Sequence, residues 1–160
     1  MMIFKNAMFA AAAAAITLTG TAAIAQERPM ALSSDVQLVK PVETDGTISG
    51  EQLIEPTGVV PGDTLVFTIN YTNNGAETAT DFVLVNPVHK DTIVARESAE
   101  STEVSVDGGE NYAALADLTV VGEAGEPRAA SNQDVTHLRW VIAEVAPSQS
   151  GSVSFRAQVR

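Results

Sequence analysis

Apolar and polar residues alternate most regularly between Pro61 and Pro87, PGDTLVFTINYTNNGAETATDFVLVNP, where Leu65, Phe67, Ile69 and Tyr71 are separated by Val66, Thr68 and Asn70. A period of two marks a strand with one buried face. Asn73-Asn74-Gly75 then offers residues that tolerate positive φ, and a second apolar run follows at Phe82–Val85. The stretch reads as two strands joined by a turn, although Ala76–Thr80 is long enough to pass from one sheet to another. Two further strands are predicted near the C-terminus. In Thr136–Val145 the residues Leu138, Trp140 and Ile142 share a face, and in Ser150–Arg160 Val153, Phe155, Ala157 and Val159 do so, with a turn at Pro147–Gly151.

The rest of the chain is less regular. Val36, Leu38 and Pro41-Val42 predict a short first strand, which its proline places at an edge or an end. Glu43–Gly58 reads as a long connection in which Gln52-Leu53-Ile54 pairs briefly. Thr92–Ala95, Glu103–Val106 and Leu118–Val121 are short strand candidates, Asp107-Gly108-Gly109 is a turn, and Gly122–Asp134 reads as a second long loop. No window carries apolar residues at i, i+3, i+4 and i+7, so no amphipathic helix is predicted. One-faced strands bury their apolar side by packing sheet on sheet. The expected fold is therefore all-β, an antiparallel immunoglobulin-like β-sandwich of about seven or eight strands over residues 36–160. Its expected core is Leu65, Phe67, Ile69, Tyr71, Leu138, Trp140, Ile142, Val153, Phe155 and Val159.

Composition adds a compartment. Lys5, the apolar run Ala7–Leu18, the break at Gly20 and the Ala23-Ile24-Ala25 step have the form of a secretory signal peptide over residues 1–25. The run is shorter than the roughly 20 residues of a membrane span. The expectation is a chain cleaved before Gln26, with Gln26–Asp35 as an exposed N-terminal arm, no membrane insertion after cleavage, and a periplasmic or extracellular location. The formal charge of −11 repels nucleic acid and anionic lipid, so neither is an expected partner. The absence of cysteine excludes a disulfide framework, thiolate metal ligands and a thiol nucleophile.

Gly62-Asp63-Thr64, the alternating strand ending in Tyr71-Thr72-Asn73-Asn74-Gly75, then Ala79-Thr80 and a strand ending in Asn86-Pro87 together resemble the conserved-repeat family catalogued as domain of unknown function eleven. Trp140–Val145 and Gly151–Val159 are similar to that family's closing strand pair. The resemblance implies an immunoglobulin-like sandwich of the kind found as tandem modules in bacterial and archaeal envelope proteins. Two departures stand out. Asn86-Pro87-Val88 replaces the family's usual aspartate and Leu-Pro step, and the chain holds one copy. Similar surface sandwiches carry a lysine–asparagine cross-link between first and last strands. Lys40 lies in the first strand here, but Gly151–Arg160 contains neither Asn nor Asp.

Candidate chemistry is sparse. Asp107-Gly108-Gly109-Glu110 and Asp63 invite comparison with calcium loops, but alternating carboxylates are missing and turn chemistry accounts for the glycines. His89 and His137 are the only histidines, with no ligand spacing around them. No G-x-S-x-G is present. Tyr112 and Trp140 are conceivable sugar-stacking residues, but Trp140 stands between Leu138 and Ile142 in a core pattern. No catalytic, cofactor-binding or metal-binding residue is assigned. The expected role is a non-enzymatic structural or protein-interaction module of the cell envelope, with a protein partner. One alternative is a homo-oligomer or filament built by strand addition through the N-terminal arm. Another is a small hydrolase, or a calcium- or sugar-binding domain, with a site built from the loops 43–58 and 122–134.

Overall fold

The computed structural model describes residues 29–160, so the expected cleavage site and Gln26–Arg28 lie outside the described residues. In chain order the elements are β1 (Met30–Thr44), β2 (Thr47–Ile54), β3 (Thr64–Asn73), β4 (Ala79–Pro87), β5 (Thr92–Val94), α1 (Arg96–Glu100), β6 (Glu103–Ser105), β7 (Thr119–Val121), β8 (Pro127–Ala129), β9 (His137–Val145) and β10 (Ser150–Val159). They form an antiparallel β-sandwich. One sheet has the order β2-β1-β3-β10-β5, the facing sheet β4-β9-β6, and β7 with β8 makes a separate ribbon. The two sheets hold eight strands, against the seven or eight that the sequence predicts, and the ribbon adds two more. The last strand, β10, lies between β3 and β5, a place that the fifth strand takes in a constant-type immunoglobulin domain. Among the described residues no helix is long and apolar enough to cross a membrane.

The alternating strands bury the faces expected of them. Ile69, Val94, Phe155 and Ala157 from one sheet meet Leu84, Val104 and Leu138 from the other, and Ala99, Leu115 and Val135 close the core from the connections. Phe67 and Phe155 are cross-strand partners whose rings stack at 4.8 Å. Two aromatic contacts bridge the sheets, Trp140 with Phe155 at 6.2 Å and Tyr71 with Phe82 at 5.9 Å. Tyr71 also lies over Gly151, its partner on β10, and a Cβ there would sit 2.5 Å from its Cζ. Glycine at this position lets the ring cover the backbone. Of the expected core, Leu65, Ile69, Leu138 and Phe155 are buried and Phe67, Tyr71, Trp140, Ile142 and Val153 are half-buried against it, whereas Val159, at the end of β10, is half-buried outside the core cluster.

Several expectations need correction. The stretch Met30–Asp35, expected within the exposed arm, is exposed but is the first part of β1, and it pairs with Asn73 back to Thr68 of β3. One edge of its backbone is therefore engaged by β3, while β2 covers the opposite edge of β1 only from Leu38 onwards. Glu43–Gly58 is no open connection. Asp45 (φ 53°) and Gly46 (φ 75°) form a two-residue turn with both residues at positive φ, which folds β2 back on β1. The hairpin is anchored by Arg156 donating to Glu51 at 2.7 Å and by Lys40, weighed above for a cross-link, lying 3.7 Å from Asp63. Gly122–Asp134 likewise contains β8 and a 3₁₀ turn at Asn132–Asp134, so its backbone is mostly paired. Arg96–Glu100 is a single helical turn with Ala99 buried, too short to show a period. Asn73, Asn74 and Gly75 do not adopt positive φ; β3 and β4 lie in different sheets, so the connection crosses the sandwich.

Candidate functional site: an open side of the sandwich

Two edge strands, β5 and β6, are only three residues long, and α1 carries the chain from one sheet to the other between them. β6 covers β9 only from His137 to Arg139, and β5 covers β10 only from Ala157 to Val159. Past these points, Trp140–Val145 and Ser150–Phe155 have no strand on that side among the described residues.

Hydrogen bonding shows which backbone groups face the gap. Val104 exchanges two backbone bonds with Ala113, at 2.9 and 3.1 Å, on the edge of β6 away from β9. Glu103 therefore turns towards its partner Arg139, and by the alternation of antiparallel strands Val141 presents its own N–H and C=O to the same, now uncovered, side. On β10, the Arg156 N–H donates to Ser98 Oγ at 3.0 Å and its carbonyl accepts from Ala95 at 2.8 Å. Ser154, one repeat further along, faces the gap as Val141 does.

Between these two edges runs a groove of about 650 Å³ with Trp140, Ile142 and Val153 as its apolar floor and Glu100, Glu103 and Arg139 on its rim. Arg139 is held in place, since it donates through Nε to Glu103 at 2.8 Å and its guanidinium lies 4.5 Å from the centre of the Tyr112 ring. Thr102 Oγ1 donates to the Arg139 carbonyl at 2.5 Å and closes the covered end of the edge. The rim thus combines fixed charge with exposed strand backbone. Trp140, expected in the core, meets it with one face through Phe155 and lines the groove with the rest. This was hidden in the sequence because it depends on where β5 and β6 stop, and the brevity of both apolar runs was the only available sign.

The residues weighed for other chemistry do not converge. Asp107 accepts from Ser105 Oγ (2.7 Å), from Asn111 Nδ2 (2.7 Å) and from the backbone N–H groups of Glu110 and Asn111 (3.1 and 3.0 Å). These donors hold its carboxyl well below the usual range, the Ser105 hydroxyl first. Its lone pairs organise the Gly108-Gly109 turn. Asp63 accepts instead from the Val60 N–H at 3.0 Å. His89 is exposed beside Asp91, and His137 Nδ1 lies 3.2 Å from the Thr136 hydroxyl. Among the described residues no three His, Asp or Glu side chains are grouped to hold a metal ion.

Asp134 belongs to the fold as well. It takes a two-pronged contact from Arg128 (2.6 and 2.8 Å), which caps the 3₁₀ turn to the β7–β8 ribbon and depresses its carboxyl, with help from the Ser131 N–H and hydroxyl. A folded-state pKa below the ordinary 3.8 means that protonation favours the unfolded chain. The stability these groups contribute is present above that value and lost below it. The melting temperature is expected to be level between about pH 7 and 5 and to fall from about pH 4 downwards, less steeply in Asp134→Asn. A wild-type melting temperature unchanged to about pH 2 would contradict this.

No family model, curated protein or solved structure matches the chain, so the resemblance of Pro61–Pro87 rests on those residues themselves.

Proposed function

We propose that the chain is an exported, non-enzymatic β-sandwich that acts as a protein-interaction module of the cell envelope, with the open side between β9 and β10 as its contact site. The observation that carries this reading is the pairing of an apolar floor, Trp140, Ile142 and Val153, with uncovered strand backbone at Val141 and Ser154. Soluble domains usually blunt such edges, because they recruit other chains. The signal-like segment supports export: cleavage before Gln26 leaves Gln26–Pro29 ahead of β1, so the sandwich is untouched by processing. The likeness of Pro61–Pro87 to an envelope family agrees with that compartment.

The test is site-specific photo-crosslinking in producing cells, with the photoreactive residue at Val141 in the groove and at Thr47 on the hairpin as a control. A discrete adduct from Val141, identified by mass spectrometry and missing from Thr47, is the expected result, on a chain whose N-terminus is Gln26. No adduct from Val141, or equal adducts from both positions, would end the reading.

A further inference from the structure

Resting on that reading, we infer that the groove takes an extended segment of a cationic protein, which adds as a strand along the uncovered edge of β9, with aliphatic side chains on Trp140, Ile142 and Val153 and basic side chains at the rim. The extended form follows from the backbone. Val141 presents an N–H and a C=O side by side, and a strand supplies the matching pair at every second residue. β9 is the edge in question because Trp140, Val141 and Ile142 line the groove together, whereas β10 contributes only Val153. Trp140–Val145 limits the register to about six residues at 3.3–3.4 Å each, collinear with β6.

The sign of the partner's charge follows from the rim and from the whole molecule. Of the charged residues, Glu100 on α1 and Glu103 on β6 line the groove against Arg139 on β9. Arg139 is engaged by Glu103 at 2.8 Å, so among the charged groups lining the groove Glu100 is the one in excess, met 2.7 Å away by Arg96 of its own helical turn. The net charge of −11 adds a field that steers cations towards the chain and keeps a second copy away. A basic strand thus satisfies the backbone edge, the floor and the charge together.

Trp140 is the only tryptophan, so its emission reports on the groove alone. The probe is a peptide of about eight residues alternating valine and lysine, compared with a valine–glutamate peptide and with a valine–lysine peptide N-methylated on its edge-facing amides. Val141→Pro removes the outward N–H while the bonds of Trp140 and Ile142 to β4 stay in place. The expected result is a saturable shift of Trp140 emission by the valine–lysine peptide, weakened by salt, and at least about tenfold weaker binding for the glutamate peptide, the N-methylated peptide and Val141→Pro. The N-methylated peptide tests the same backbone bonds on unaltered protein should Val141→Pro fail to fold. Equal binding of the lysine and glutamate peptides, or of the methylated and unmethylated ones, would overturn the inference, as would an unchanged Trp140 emission. If the peptides fail while Val141 still crosslinks to another protein, strand addition by a basic segment falls and the interaction-module reading stands. An adduct of twice the chain's mass makes the occupant a second copy and also overturns the inference.

Discussion

Phe155→Ala is expected to destabilise the sandwich by about 3–5 kcal/mol, the range for removing a large aromatic from a packed core. Phe155 is 4% exposed and, among the described residues, is the one aromatic that contacts aromatic partners in both sheets, Phe67 at 4.8 Å beside it and Trp140 at 6.2 Å across the core. Truncation leaves a cavity where the sheets meet, and the cross-strand stack is lost with it. Against a typical domain stability of roughly 5–15 kcal/mol, the loss is large enough to read directly from denaturation midpoints. Trp140→Ala should cost less, because that ring borders the groove and its loss leaves a space that water can fill. The double variant should show a coupling of about 0.5–1.5 kcal/mol between the two rings. A Phe155→Ala protein that unfolds within about 1 kcal/mol of the wild type would show that the sheets do not close on this residue.

The strands that build this core are the ones whose pattern was legible. β3, β9 and β10 each bury one face, so their side chains had to alternate, and Ile69, Leu138 and Phe155 could be placed in the core from spacing alone. The β1–β2 hairpin lacks that constraint, since Thr47–Leu53 are exposed throughout and nothing demands alternation there. Its one strong signal was local: Asp45-Gly46, a dipeptide suited to positive φ at both positions. Among the buried residues absent from the expected core, Val94, Ala99, Val104 and Leu115 sit in elements of three to five residues, where no period can be counted. The groove was invisible for a related reason. An uncovered edge is a property of the neighbouring strand's length, so neither Trp140 nor Val141 carries any mark of it.

Asn73→Ala is expected to cost about 2–4 kcal/mol, although the residue is polar and sits where the chain turns. Asn73 is completely buried, and its side chain is saturated: Nδ2 donates to the carbonyls of Glu77 at 2.8 Å and Val145 at 2.9 Å, while Oδ1 accepts from the Gly75 N–H at 2.9 Å. Its backbone accepts from Ser148 at 2.8 Å and donates to Gln149 at 2.9 Å. One residue of β3 thereby holds both crossings between the sheets, the one from β3 to β4 and the one from β9 to β10. Alanine removes the amide and strands the buried Val145 carbonyl together with the part-buried Glu77 carbonyl and Gly75 N–H, and a buried group costs about 1–3 kcal/mol when left unpaired. Partial relief by an entering water keeps the total below their sum. Asn73→Asp separates shape from donor capacity, because a carboxylate keeps the acceptor for Gly75 but repels the two carbonyls that Nδ2 served. If the amide is the cross-sheet staple, Asn73→Asp destabilises at least as much as Asn73→Ala near neutral pH and recovers part of the loss when the new carboxyl is protonated in acid. An Asn73→Asp protein as stable as the wild type would mean that Nδ2 contributes nothing to closing the sandwich.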